Sequence, residues 1–204
     1  MARLSAPLRR DAIVDATIAV ARRKGLAGTT VRDVAAEMGS SSGLLHHYFE
    51  TMDEVLAAAF ERVAGEDLRI AIAEVRAAPD PVAGIAAIFR VYAPVDADWA
   101  FQMWLDAWAE AARRPALQST SRRLNLEWQS LVEGVIQEGV EARRFACPDP
   151  AVAAWRILSL LDGLALQVVA HGSLISRTDV LAWASAFAER ELGLEPGVLN
   201  SRAG

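Results

Sequence analysis

Cysteine is nearly absent from this 204-residue chain, and its absence excludes a disulfide-stabilised fold and a zinc-stabilised one. The one cysteine, Cys147, has no partner for an intrachain disulfide, and no pair of cysteine or histidine residues stands at metal-ligand spacing. No export signal is expected either, because Asp11 and Asp15 interrupt the apolar run that a signal peptide needs. We therefore expect a cytoplasmic protein without metal or cofactor.

Basic residues are a minority as well: 21 lysines and arginines stand against 26 acidic residues, for a net charge of −5. This balance argues against a general nucleic-acid binder. The charge is uneven, however, since residues 1–50 carry +2 and the rest of the chain carries −7. A slightly basic N-terminal part suits contact with a polyanion through that part alone.

The alternation of polar and apolar residues that marks β-strands is absent, and nearly every segment has the three- and four-residue spacing of a helix. We predict an all-α protein of about nine helices. Its N-terminal three-helix domain covers residues 1–50, and a larger helical domain for ligand binding and dimerisation covers 51–193. Residues 194–204, which contain a Pro-Gly pair, are expected to form a flexible tail.

Capping signals divide the N-terminal part into helices. The first three are predicted at residues 9–24, 31–38 and 42–48. Thr30 and Asp33 form a capping box at the start of the second helix, and Gly39 ends it. Thr51 and Glu54 form another box, which opens a long fourth helix.

The second and third helices are predicted to form a helix-turn-helix. Two short helices that cross steeply need a small residue at the crossing and a residue tolerant of the left-handed region at the turn. Ala35 and Gly39 meet these needs. The apolar anchors toward the body are Val34, Met38, Leu45 and Tyr48.

The run T-T-V-R-D-V-A-A-E-M-G, followed by G-L-L-H-H-Y-F and D-E-V-L, resembles the N-terminal domain of the TetR family of repressors over residues 9 to 56. The resemblance implies that the third helix enters the major groove of DNA. Ser40 and Met52 depart from the family pattern, which has an apolar residue and a phosphate-binding lysine there. Arg3, Arg9 and Arg10 are candidates for contacts with the DNA backbone or minor groove. The DNA-binding residues implied are Thr30, Arg32, Ser41, Ser42, Gly43, Leu44, His46, His47 and Tyr48.

The second half of the chain is rich in aromatic residues. Trp104 and Trp108 share a helix face with Phe101, and a later apolar helix carries Asp162 and Gln167. If these faces meet, they enclose an aromatic cavity with one carboxylate; the alternative is that the aromatic residues form an ordinary core. The predicted ligand-binding residues are Phe89, Tyr92, Phe101, Trp104, Trp108, Trp128, Asp162 and Gln167.

Three segments of this half, M-W-L-D-A-W-A-E-A-A-R-R-P-A-L, S-R-R-L and L-D-G-L-A-L, resemble the C-terminal domain of choline-responsive repressors of the BetI type. The resemblance implies a small-molecule effector, choline or another cationic amine. Such a cation would gain about 0.5 to 2 kcal/mol from each well-placed aromatic ring.

The stretch from Ile157 to Ser176 is nearly long enough to span a bilayer and contains one charged residue, Asp162. We reject a membrane span, because Asp162, Gln167 and His171 would be costly in the bilayer. The apolar residues of the last two predicted helices exceed what one helix face can hide, and the resemblance implies that these helices pair with those of a second copy to form a homodimer. The predicted dimer-interface residues are Trp155, Leu160, Leu164, Val168, Leu181, Trp183 and Phe187.

These observations predict a ligand-responsive repressor that binds a palindromic operator as a dimer. A helical enzyme is the first alternative, but no nucleophile motif or phosphate-binding glycine loop supports it. A relative that has lost DNA binding and acts through protein partners is the second, which Met52 keeps open.

Overall fold

The computed structural model describes residues 6–92, 98–172 and 174–199, which form nine α-helices and no β-strand. This confirms the predicted all-α class and the number of helices. The first predicted helix begins three residues earlier than expected, and the second ends one residue earlier. The helices are α1 (Ala6–Lys24), α2 (Val31–Glu37), α3 (Ser42–Tyr48), α4 (Met52–Ala77), α5 (Pro81–Tyr92), α6 (Asp98–Ala111), α7 (Pro115–Glu141), α8 (Pro150–His171) and α9 (Arg177–Leu192).

Helices α2, α4, α8 and α9 begin at side chains that accept from their first backbone N–H groups. Thr30 Oγ1 accepts from the Asp33 N–H, and the Asp33 carboxylate accepts from the Thr30 N–H, so the predicted capping box of α2 is confirmed. Thr51 Oγ1 accepts from the Glu54 N–H at 3.2 Å at the start of α4. These local bonds explain why the helix starts were predictable.

Contacts between residues divide the chain into two units. The first unit consists of Met1–Glu66 and Trp99–Leu124, and the second of Asp67–Asp98 and Asn125–Gly204. Both α4 and α7 contribute residues to each unit. This division differs from the boundary expected at residue 50, because α6 and the first part of α7 belong to the first unit together with α1 to α3.

The core of the first unit joins α1, α2 and α3 to the beginning of α4. Its members are almost entirely buried apolar side chains. They include Ile13, Val14, Val34, Ala35, Leu45, Phe49, Val55 and Ala59.

The second unit packs α9 against α5 and α8. Apolar side chains of α5, such as Ile85 and Phe89, are almost fully buried. At Gly84 a Cβ atom would lie 3.1 Å from Val135 Cγ1, so α5 and α7 approach closely at that glycine.

Residues 194–199 return to α9 rather than leave the body. Glu189 is 3 % exposed, and its carboxylate accepts from the Gly197 N–H at 2.9 Å and the Leu199 N–H at 2.8 Å. Leu199 is itself 1 % exposed. These contacts differ from the flexible tail expected over 194–204, because a buried carboxylate needs donors and the returning backbone supplies them. Residues 200–204 and Arg3 lie outside the described residues.

Helix α8 is mostly apolar, and its buried residues lie on one side. By length and composition it could cross a membrane: an 18-residue window has a mean hydropathy of 1.5, yet only 28 % of that window is buried. The buried positions include Ala154, Ile157 and Leu161, which recur at three and four residues and so form one face. Much of the remaining apolar surface is exposed.

Candidate DNA-binding and ligand-binding sites

The turn between α2 and α3 has the geometry that the sequence predicts. Gly39 has a φ of +59°, in the left-handed region, and its N–H donates to the Ala36 carbonyl at 3.1 Å. Val34, Ala35 and Leu45 are buried, with at most 4 % exposure, so both helices are anchored to the core. Helix α3 is thereby held by one face and displays the other.

The displayed face carries most of the residues predicted to contact DNA. Leu44 and Tyr48 are partly buried, and Tyr48 packs against the core. The ring of His47 meets that of Tyr48 edge-on at 5.0 Å. The exposed members of the predicted set are Thr30, Arg32, Ser41, Ser42, Gly43, His46 and His47.

Ser40 stands where the resemblance leads one to expect an apolar side chain. Its Oγ atom is buried and has no hydrogen-bond partner among the described residues. An unsatisfied buried hydroxyl is destabilising, so the turn is held less firmly than an apolar residue would hold it.

Charged contacts fix α1 on α4. The Arg62 guanidinium donates to Asp11 and, at 2.7 Å, to Asp15, while the Arg10 guanidinium lies 4.5 Å from the centre of the Phe49 ring. Each pair is largely exposed and weak by itself, but together they join the helix before the helix-turn-helix to the helix after it.

Helix α6 is joined to the turn between α1 and α2 through one carboxylate. Asp106 Oδ2 accepts from the Leu26 N–H at 2.8 Å, and Asp106 Oδ1 accepts from Gln102 Nε2 at 2.9 Å. Gly25, in the left-handed region with a φ of +74°, makes room for this carboxylate, because a Cβ there would lie 2.9 Å from Asp106 Oδ2. The sequence shows no signal for this contact, which spans 80 residues.

The aromatic residues of α6 belong to the first unit. Trp104 is 8 % exposed and its ring meets that of Phe60 of α4 edge-on, with ring centres 4.8 Å apart. Phe101 and Trp104 lie within 6.1 Å of Trp108, measured between ring centres. This arrangement matches the core alternative for Trp104, since its ring is packed against Phe60.

A second aromatic cluster, which we call the Tyr92 cluster, lies within the second unit and consists of Tyr92, Trp128 and Asp162. The Tyr92 hydroxyl donates to Asp162 Oδ1, and the Tyr92 ring meets that of Trp128 edge-on at 5.9 Å between centres. Burial raises the pKa of the Asp162 carboxyl to about 7, because the charged form loses hydration there. The cluster thus combines two aromatic rings with a carboxyl group whose ionised form is disfavoured by burial.

Two other predicted ligand residues of the second unit differ in exposure. Phe89 is 2 % exposed and belongs to the core of the second unit. Gln167 is exposed, because five residues along α8 place it about 140° around the helix from Asp162. No group of three or more residues that could hold a metal ion occurs among the described residues.

Two of the predicted dimer residues, one on α8 and one on α9, are exposed. Trp155 is 40 % exposed and Trp183 is 49 % exposed. The other members are partly buried: Leu160, Leu164, Val168, Leu181 and Phe187. Two tryptophans exposed to this degree mark a surface that suits a partner.

Two family models match the chain and together cover most of it. The model described as "Bacterial regulatory proteins, tetR family" matches residues 13–59. The model described as "BetI-type transcriptional repressor, C-terminal" matches residues 81–193, more than half of the chain. This chain belongs to the TetR family of transcriptional regulators. The resemblance inferred from the sequence is therefore confirmed for both parts.

Relatives and solved structures agree with the TetR-family assignment. The HTH-type transcriptional regulator BetI of Paraburkholderia phytofirmans is 32 % identical over 174 residues, which cover 81 % of this chain and 84 % of that protein. A Pseudomonas aeruginosa PAO1 protein, described as a transcriptional regulator, superposes with a TM-score of 0.81 at 26 % identity, covering 98 % of this chain and 96 % of that one. A Saccharomonospora viridis protein solved in complex with choline has a TM-score of 0.81 at 21 % identity, covering 90 % and 96 % respectively.

Proposed function

We propose that this TetR-family regulator is a homodimeric repressor, which binds a palindromic operator and releases it when a cationic small molecule binds. The observation that carries the proposal is the exposed face of α3, held on a buried core and lined with hydroxyl and imidazole groups. A protein that binds chromosomal DNA in this way acts in the cytoplasm.

Helix α3 is proposed to read bases in the major groove through Ser42, His46 and His47, which are all exposed. Thr30 and Tyr48 carry hydroxyl groups and are proposed to bind phosphate. Thr30 would do so by exchanging the bond that its hydroxyl donates to Asp33. Phosphate contacts set the position of the helix, and the base contacts set the sequence that it prefers.

Helices α8 and α9 are proposed to form the dimer interface. The support is the exposure of Trp155 and Trp183 and the low burial of the apolar helix α8. A second copy related by a two-fold axis would cover this surface and present two α3 helices to DNA. Successive major grooves on one face of the duplex would require a spacing of roughly 34 to 36 Å.

The Tyr92 cluster is proposed to bind the cation. Two rings attract a quaternary or protonated amine, and the Asp162 carboxyl supplies a counter-charge when ionised. The choline bound to the Saccharomonospora viridis structure, which shares the fold, supports a ligand of this chemistry. Ligand binding needs to favour one spacing of the two α3 helices by only about 1 to 3 kcal/mol to act as a switch.

The enzyme alternative loses ground with the family assignment, since the match covers both parts of the chain with models of regulators. The alternative of a relative without DNA binding is also less favoured, because the exposed face of α3 is held on a buried apolar core. Met52 leaves no positive charge at the first position of α4.

The test is a gel shift on a labelled duplex from the gene's own upstream region, with and without choline. We expect a shift that choline weakens about 5- to 150-fold. The His46→Ala, His47→Ala double variant should lose the shift. Asp162→Asn should keep the shift but lose the response to choline, whereas Glu138→Gln, which removes an exposed charge, should behave like wild type. A shift that no amine affects would contradict the cationic ligand, and no shift at all would contradict the repressor.

A further inference from the structure

A groove of about 650 Å³ opens in the first unit beside α2 and the start of α4. Its walls include Thr30 and Arg32, both in the predicted DNA-binding set, and Met52. They also include Arg114, which lies between α6 and α7 and outside the helix-turn-helix. The groove therefore places Arg114, which the sequence assigned to the larger domain over 51–193, next to residues of the predicted helix-turn-helix.

The backbone around Arg114 is held in place on both sides. Its carbonyl accepts from the Gln118 N–H at 2.8 Å in the first turn of α7. The Asp53 carboxylate accepts from the Ala116 N–H at 2.8 Å and, more weakly, from the Leu117 N–H at 3.3 Å. The start of α4 thus fixes the start of α7, and Arg114 with it.

A hydrogen bond orients the Arg114 side chain and leaves other N–H donors of its guanidinium available. Its Nε donates to Glu110 Oε2 at 3.0 Å, which engages one of the five N–H donors of the guanidinium. The side chain is 25 % exposed, so the group is ordered but accessible.

The charges along the groove favour an anion. Arg32 is exposed, and Arg114 adds a second guanidinium. The one carboxylate in the wall, Asp33, is already engaged by Lys24 at 2.6 Å and by Thr30. Two guanidinium groups therefore face the groove against a carboxylate that is already neutralised, and guanidinium groups suit phosphate oxygens.

We propose that Arg114 binds a backbone phosphate of the operator, together with Arg32. The inference rests on the proposed binding of DNA by α3. It extends the DNA-binding surface to the turn between α6 and α7. Since a phosphate contact carries no sequence information, Arg114 strengthens binding to any duplex equally.

Arg113 provides a matched control. It also pairs with Glu110, at 2.6 Å, but its side chain is 68 % exposed and it is not part of the groove wall. Arg114→Ala and Arg113→Ala therefore remove the same charge and the same partner, one inside the groove and one outside it. Arg114→Lys retains the charge and should restore most of the lost affinity.

The experiment is fluorescence anisotropy of each variant with the upstream duplex and with a scrambled duplex, between 50 and 200 mM salt. We expect Arg114→Ala to bind both duplexes more weakly than wild type. The slope of log affinity against log salt concentration should be less steep by about 0.9, so the ratio of wild-type to variant affinity should fall about threefold between 50 and 200 mM salt. Arg113→Ala should match wild type. Thermal unfolding of the two variants should coincide, which separates a lost contact from a folding defect.

An unchanged salt slope in Arg114→Ala would overturn the proposal, as would equal losses in the two alanine variants. Inorganic phosphate at constant ionic strength could instead stabilise wild type but not Arg114→Ala, while both proteins bind DNA alike. That result would assign the groove to free phosphate and would also overturn the proposal. If wild type binds neither duplex, the proposed DNA-binding function fails as a whole, a result that the variants cannot mimic.

Discussion

Replacing Asp162 by asparagine should stabilise the protein at high pH and not at low pH. Burial raises the pKa of Asp162 from 3.8 to about 7, so the folded chain holds a proton that the unfolded chain has released over this range. Below about pH 4 the Asp162 carboxyl is protonated in both the folded and the unfolded chain, so its raised pKa does not lower the free energy of unfolding. Between pH 4 and pH 7 the free energy of unfolding of wild type should fall as pH rises, and above pH 7 the loss should stay constant.

The size of the effect follows from the displacement of the pKa. About three pKa units at about 1.4 kcal/mol each give at most about 4 kcal/mol of lost stability at pH 8. Asparagine has no charge to bury, and its carbonyl oxygen can still accept from the Tyr92 hydroxyl. Asp162→Asn should therefore equal or fall slightly below wild type in stability near pH 4, and exceed it by a few kcal/mol near pH 8.

The assay is urea unfolding followed by tryptophan fluorescence at pH 4 to 8, at one fixed protein concentration because association contributes to stability. The measured quantity is the difference in unfolding free energy between variant and wild type, in which the titration of all other groups cancels. Glu138→Gln, which removes an exposed acid from the same unit, should show no such trend. A difference for Asp162→Asn that is flat from pH 4 to pH 8 would refute the reasoning.

Two further predictions concern the turn after α1 and the surface of α9. Gly25→Ala should destabilise the protein by about 1 kcal/mol more than Gly39→Ala in urea unfolding. Both glycines have a positive φ, but a Cβ atom would meet a neighbour, Asp106, only at Gly25. Equal losses would contradict this, and adding Asp106→Ala should reduce the difference. Trp183→Glu should shift sedimentation from dimer to monomer, whereas Leu126→Glu, similarly exposed on α7, should not; a dimer that survives Trp183→Glu would argue against that interface.

The fold was predictable where its signals are local. The capping box of Thr30 and Asp33, the left-handed Gly39 and the anchor Leu45 are each determined by neighbours within a few residues, and the structure has all three. The contact of Asp106 with Leu26 joins positions 80 residues apart, and nothing in either local sequence indicates it.

The predicted ligand residues show a different limit. Spacing placed Trp104 and Trp108 on one helix face, but spacing is the same for a core stripe and for a cavity wall. In the structure Trp104 packs on Phe60 in the first unit, while Tyr92 and Asp162 meet in the second. Which aromatic residues share a site depends on tertiary contacts that periodicity does not encode.

The carboxylate of Asp106 bears on how such regulators can be recombined. In a chimera that joins residues 1–50 to a foreign effector domain, the Leu26 N–H would lose its acceptor, the Asp106 carboxylate. The space at Gly25 that this carboxylate fills would be left empty or would be filled by a side chain that does not fit. A buried amide without a partner costs about 1 to 3 kcal/mol, a large part of the stability of a small domain. Transplants should therefore include α6 with the DNA-reading helices as one module.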